Sequence, residues 1–493
     1  MLKVLLVLAT FVIVGLYADD RPLVDTSNGR IRGTIKTSRK GRRYVAFEGI
    51  PYAKPPVGDL RFKEPQAQQP WTGIWDAQHA YSCSQITYIS SSQKNVIGTE
   101  DCLYLNVYTP ELTTDKKYDV FVQIHGGAFM LGNADINSSP LLLDKDIVLV
   151  MMNYRLGPLE LYHRAISMSG TALTNWVLVE NPLQKARELG VIVGCGQVAT
   201  QDLVRCLRQR SATQIIQATT HFQPWLANPF TTFGPTVELA GDNKFLPDLP
   251  YNLLQQGHVA DVPWITSVTS DEGLYPGADF LSSDRLPYLE QHWTELAPYI
   301  LQYDGTVPRA QQADVAQKIK EYYLKDEPIS RETFPALVQA IGDRLFVVDA
   351  EKAARLQAQV NKSPVYFYRF NYRGGHSISE FLTQSDENLG VSHGDDALYI
   401  TLPVPGWLES EADDQMVDLF LDMWISYGQT GTPKVVPATW QPVSPSHEHF
   451  QYLHIGSPHH VEMKQKEYLA HNEFWNALPF QENDLISTIT DEF

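Results

Sequence analysis

Short, nearly continuous apolar runs, set between longer amphipathic stretches, restrict this chain to one broad architecture. Leu103 to Tyr108, Val120 to Ile124, Ile147 to Tyr154, Trp264 to Thr269 and Val365 to Phe370 contain few polar side chains. A strand covered on both faces reads this way, whereas a strand with one wet face alternates. Tyr162 to Met168 is a weaker example. Helical spacing appears over Pro182 to Gly190, Ala310 to Tyr323, Phe334 to Leu356 and Glu411 to Tyr427. In the last of these, Met416, Leu419, Phe420, Met423 and Trp424 form one stripe, read as core. Strands and helices mixed in this order predict an α/β fold, with a mostly parallel central sheet flanked by helices. No repeat, low-complexity tract or charge run interrupts the pattern.

The 493 residues are 43% hydrophobic, enough for a large core. A formal charge of −18 argues against nucleic acid, whose phosphates need a basic surface, and against anionic membranes. Met1-Leu2-Lys3 and the apolar run Val4 to Leu16 read as a secretory signal over residues 1–18, cleaved near Ala18. That run is shorter than the ~20 apolar residues a membrane span needs. Residues 19–493 are expected to form one domain, secreted and extracellular. The four cysteines fit an oxidising compartment. Of three possible connectivities, Cys83–Cys102 and Cys195–Cys206 close the shortest loops, each stabilising by roughly 3 kcal/mol. Asn137-Ser138-Ser139 and Asn361-Lys362-Ser363 are acceptor patterns for N-glycosylation.

Three segments carry chemistry. His125-Gly126-Gly127-Ala128 is a small-residue loop whose backbone N–H groups can approach a carbonyl oxygen. Asp271-Glu272-Gly273 supplies acids, and Ser392-His393-Gly394-Asp395-Asp396 supplies a histidine. An acid that orients a histidine base is half of a serine hydrolase. On sequence alone Asp271, Asp395 and Asp396 rival Glu272 as that acid. Gly390-Val391-Ser392-His393-Gly394 is the one match to the nucleophile-elbow pattern G-x-S-x-G. It follows the acid and overlaps the histidine, and adjacent residues of one loop do not easily present both side chains to each other. Ser392 is therefore read as a chance match. Ser167 and Ser169 lack the elbow glycines and are also rejected as nucleophiles. Trp225 and Phe230 fit a substrate gorge and a packed core equally.

From Arg43 onward the chain resembles the type-B carboxylesterase/cholinesterase family, with secreted insect esterases the nearest group. The resemblance rests on Phe47-Glu48-Gly49-Ile50-Pro51-Tyr52-Ala53, Glu100-Asp101-Cys102-Leu103-Tyr104-Leu105-Asn106-Val107-Tyr108, Ile124 to Phe129, Asn153-Tyr154-Arg155-Leu156-Gly157-Pro158-Leu159 and Arg164 to Gly170, together with the Glu272 and His393 segments. It implies an α/β-hydrolase fold, a small-molecule carboxylic-ester substrate and no cofactor or metal. Glu272 and His393 become the catalytic acid and base, Gly127 and Ala128 the oxyanion-hole donors, and the two local cysteine pairs the disulfides.

One departure stands between Leu159 and Glu160. There the family has a helix, the strand bearing Gly-Glu-Ser-Ala-Gly and a further helix, on the order of seventy residues or a little over two βα units. A parallel crossover needs a dozen or more residues. Only Arg155 to Leu161 remain, spanning at most about 24 Å. The central elbow strand and adjacent helices are thus expected to be missing, and the sheet to rearrange or lose a flanking strand. The expected product is an inactive, destabilised member of an ester-hydrolase family, produced by an internal skip. The alternative is a non-catalytic binding or adhesion member of the same fold.

Overall fold

The computed structural model describes residues 21–482, apart from residues 88–94, 114, 135–140, 155–163, 180, 197–198, 240–243, 283, 326 and 447–448. The signal segment, the Leu159–Glu160 junction and the Asn137 sequon lie outside the described residues.

Ten strands build two five-stranded sheets. In the first, β1 (Thr34–Thr37), β2 (Arg43–Pro51), β3 (Tyr104–Thr109), β4 (Asp119–Ile124) and β5 (Ile147–Met152) lie in the order β1-β2-β3-β5-β4. Its pairs are antiparallel except β5 with β4, which run parallel. In the second, β6 (Ala165–Met168), β7 (Trp264–Thr269), β8 (Val365–Phe370), β9 (Phe450–Ser457) and β10 (His460–Lys466) lie in sequence order. There the first three pairs are parallel and the last is antiparallel. Every strand read from an apolar run is present within a few residues, but they divide between two sheets. Among the described residues β4 and β6 are therefore both edges, each parallel to its one neighbour.

The helices include α1 (Pro182–Ile192), α2 (Arg309–Leu324), α3 (Phe334–Gly342), α4 (Val348–Val360) and α5 (Glu411–Thr430). Phe334 to Leu356 is not one continuous helix. A π-helical turn, Asp343–Val347, separates α3 from α4. α5 starts at Ser410, whose hydroxyl accepts from the Asp413 N–H in a capping box. Glu411, Asp413 and Asp414 place negative charge at its N-terminus, where the helix dipole favours it. Met416, Phe420 and Met423 are fully buried in one of the main core clusters and Leu419 packs at its margin, as the stripe requires.

That cluster takes Tyr108, Leu149 and Met151 from the first sheet and Ile265, Tyr368 and Phe370 from the second, so α5 serves both. Consecutive residues of α5 reach the two edges. The Phe121 ring of β4 closes on Gly428. The Tyr427 hydroxyl donates to the Ala165 carbonyl of β6 at 3.0 Å. Lys145 with Asp422, and Arg39 with Asp414 and Asp418, add ion pairs between the first sheet's loops and α5.

On the face of β4 away from α5, Val120, Val122 and Ile124 are 59%, 58% and 55% exposed. Full burial of such a side chain is worth about 1.5–3 kcal/mol, so this row forfeits several kcal/mol. A free, apolar edge strand also templates association. We expect Val122→Lys to raise the concentration at which the chain stays monodisperse, measured by light scattering. An unchanged aggregation threshold would show that this face is covered in solution.

Both disulfides pair as expected, Cys83 with Cys102 and Cys195 with Cys206. Among the described residues, no helix is long and apolar enough to cross a membrane.

Candidate active site

β7 ends at Thr269, and Asp271, Glu272 and Gly273 form the turn that follows. The turn packs directly against α3. A Cβ on Gly273 would fall 1.9 Å from the Val338 carbonyl oxygen and 2.6 Å from the Gly342 nitrogen, so only glycine fits. The segment bearing His393 is sewn to this turn through Asp271. The Asp271 N–H donates to the Val391 carbonyl at 3.0 Å, and the Val391 N–H donates to Asp271 Oδ2 at 2.9 Å.

With the two turns joined, the His393 Nδ1–H donates to Glu272 Oε2 at 2.7 Å. Glu272 is 1% exposed. A carboxylate buried to this degree needs donors for both oxygens. Oε1 accepts from the Thr269 N–H at 2.6 Å and from the Ser169 hydroxyl at 2.5 Å. Bonds to a charged group contribute about 1.5–3 kcal/mol each, and here they also fix the carboxylate plane that aims the imidazole.

The competing acids have other work. Asp395 accepts from the Ile378 and Ser392 N–H groups at 2.7 and 2.8 Å. Asp396 accepts from the Tyr368 hydroxyl at 2.8 Å and the Ser267 hydroxyl at 3.3 Å. Burial raises both carboxyls, Asp395 to about 7 and Asp396 to about 6. The serines divide similarly. Ser167 Oγ accepts from the Trp264 indole at 2.7 Å. Ser392 is fully buried with its hydroxyl unpaired. Ser169 sits on the acid and not on the free side of the imidazole. Among the described residues, no serine hydroxyl bonds His393 Nε2.

The imidazole lies between two rings, with the Phe346 centroid at 4.5 Å and the Tyr275 centroid at 5.6 Å. Phe346 belongs to the π-helical turn, a feature that often accompanies functional sites. The Leu345 carbonyl in that turn accepts from the Trp176 indole at 2.8 Å. Trp176 and Tyr275 both stand against Phe230, each with its centroid at 5.3 Å. Phe230 thus belongs to the wall beside His393. Trp225 lies against Phe280 and Tyr288 instead.

Burial works to lower the His393 pKa. The Glu272 charge and hydrogen bond, with Asp396 and Asp395 behind them, outweigh it and lift the imidazole above its ordinary value of 6.5. The folded pKa is therefore the higher one. The stability from this pair is fully present below about pH 6.5 and declines as pH rises through the folded value. Denaturant melts of parent and His393→Gln should accordingly differ more at pH 5.5 than at pH 8.5. An equal difference at both would contradict the raised pKa.

The small-residue loop follows β4. Gly127 has φ +118°, and a Cβ there would meet the Leu131 carbonyl oxygen at 2.0 Å. Its own carbonyl turns inward to accept from the Met130 and Leu131 N–H groups at 2.9 and 3.1 Å. Ala128 continues at φ +50°. No acceptor among the described residues takes the Gly127 or Ala128 N–H. Tyr154 braces the loop, donating its hydroxyl to the His125 carbonyl at 2.7 Å and stacking on that ring at 4.5 Å. Asn153 donates to the Tyr81 and Cys102 carbonyls at 2.7 and 3.0 Å and accepts from the Ala134 N–H at 2.8 Å.

Sequence reasoning weighed Ser169 only as a nucleophile, and missed its role on the acid together with Thr269, Tyr275, Trp176 and Phe346. Only the first left a trace, a serine just beyond a weak strand. Its left-handed φ of +49°, which turns the hydroxyl onto Glu272, was not visible.

Residues 20–160 and 160–475 match the profile of the Carboxylesterase family, in two segments that meet at one residue. Venom carboxylesterase-6 of Apis mellifera is 36% identical over 531 residues, covering 94% of this chain and 95% of the relative. A carboxylic ester hydrolase of Bombus ignitus is 35% identical, covering 97% and 98% respectively. The juvenile hormone esterase of Tribolium castaneum is 29% identical, covering 85% of each chain. With two family segments in register and these relatives matched nearly end to end, the chain belongs to the carboxylesterase family, whose fold is that of the α/β hydrolases and whose members hydrolyse carboxylic esters.

Proposed function

We propose that this chain is a secreted carboxylesterase scaffold that keeps its acid, base and oxyanion loop but lacks the nucleophile segment at the Leu159–Glu160 junction, and so does not turn over esters. In the parent chemistry a serine Oγ attacks the ester carbonyl carbon while His393 Nε2 takes its proton. Glu272 holds the Nδ1–H and stabilises the imidazolium. The Gly127 and Ala128 N–H groups bind the oxyanion. His393 then returns the proton to the departing alcohol, and water repeats the cycle to release the acid.

One observation carries this reading. Two edge strands, β4 and β6, touch consecutive residues of α5, and among the described residues each pairs in parallel on one side only. A parallel strand between them would join the two sheets into one. Support also comes from the 531 aligned positions with the bee enzyme, which exceed the 493 residues of this chain. The relative therefore carries residues absent here, and the family match divides at residue 160. The intact Glu272–His393 couple favours an interrupted esterase over a binding protein, which has no use for it.

The reading includes removal of residues 1–18, a single domain over residues 19–493, and glycans on Asn137 and Asn361. The test is covalent labelling by a fluorophosphonate, which reports an activated serine. No stoichiometric labelling is expected. Labelling that disappears in Ser392→Ala would overturn the proposal.

A further inference from the structure

The second sheet ends in the antiparallel hairpin β9–β10, which contributes nothing to the Glu272–His393 couple. Its register sets His454 opposite Glu462. His460 lies two residues before Glu462, so strand alternation places all three on one face. His460 Nε2 is bonded to Glu462 Oε1 at 2.9 Å, and the two imidazoles meet edge to face at 5.8 Å. The ligand atoms of the three residues lie within 4.8 Å of one another, the only such trio of His, Cys, Asp or Glu among the described residues.

We propose that this face of the hairpin binds one borderline divalent cation of the Zn2+ class through His454, His460 and Glu462. Two imidazole nitrogens and one carboxylate oxygen suit Zn2+, Ni2+ or Cu2+, whereas Ca2+ and Mg2+ take oxygen sets. Three protein ligands leave a fourth position for water. Bonds of about 2 Å in a tetrahedron bring ligand atoms to roughly 3.3 Å apart, so the side chains must close inward slightly. They are able to, because His460 and Glu462 side chains are 61% and 47% exposed. The backbone needs no change, since the hairpin ladder already fixes all three Cα positions. Lys464 opposes the ion, its Nζ lying 3.1 Å from Glu462 Oε1 and competing for that carboxylate.

The test uses the full chain, stripped with chelator and titrated with Zn2+ by calorimetry. One ion per chain is expected. Affinity should fall about tenfold or more in His454→Gln and in His460→Ala. It should rise severalfold in Lys464→Met and hold in His258→Ala, an exposed histidine elsewhere. Ca2+ should not compete. A second measurement needs no variant, because Cu2+ bound to the parent chain should show nitrogen hyperfine structure from two imidazoles. No Zn2+ uptake by the parent, equal uptake by the His454→Gln/His460→Ala double variant, or a Cu2+ spectrum with fewer than two nitrogens would each overturn the proposal.

Discussion

Inserting the strand, Gly-x-Ser-x-Gly elbow and flanking helices of an esterase between Leu159 and Glu160 is expected to take the chain from no ester hydrolysis above background to full turnover. The effect should be large. Removing a nucleophile from an intact serine hydrolase costs on the order of 10^6-fold in kcat, and insertion reverses that loss. Geometry supports the expectation because the hardest part is already built. Glu272 lies 2.7 Å from His393, and the loop proposed to bind the oxyanion is braced by Tyr154. The new strand should also pair with β4 and β6 and cover Val120, Val122 and Ile124, so denaturant unfolding should become a single cooperative transition. His393→Ala in the restored chain should abolish turnover and keep the fold. A correctly folded insertion without turnover would contradict the roles assigned to Glu272 and His393.

The second large effect concerns the acid. In the restored chain, Glu272→Gln should lower kcat by about 10^4-fold with little change in KM, the size of effect seen when an orienting acid becomes an amide. Both Glu272 oxygens accept, from His393, Ser169 and Thr269. A glutamine amide must turn its NH2 toward one of these donors, which displaces the imidazole or forces the wrong tautomer. Ser169→Ala removes one of the three bonds and leaves the charge, so about a tenfold loss is expected. Steady-state kinetics on the three proteins checks this. A Glu272→Gln variant within tenfold of its parent would return the role to Asp271, Asp395 or Asp396.

How much of this could be read from the chain depends on how local each feature is. β7 and β8 were legible because strands buried on both faces are apolar throughout, and α5 because one stripe faces the core. β2 and the β9–β10 hairpin were not, since each mixes polar with apolar residues and takes its identity from its neighbours. The π-helical turn was hidden because Asp343 and Arg344 are buried polar residues inside an otherwise regular helical pattern. At the site, the Asp271-Glu272 pair was ambiguous to sequence, as either residue can orient a histidine. The structure separates them by position: Asp271 bonds the backbone of the His393 loop, and Glu272 bonds the ring. Ser169 and Phe346 reach the site through backbone turns that no residue pattern announces.

Amide hydrogen exchange on the chain, compared with the restored one, is the most direct test of the proposal that a strand is missing between β4 and β6. In the chain as it stands, amides of β4 and β6 should exchange far faster than those of β7 and β8, because an edge strand has only one ladder. In the restored chain, β4 and β6 should become as protected as β7 and β8. If β4 and β6 are already protected like central strands without the insertion, the two sheets are joined in solution and no strand is missing between them.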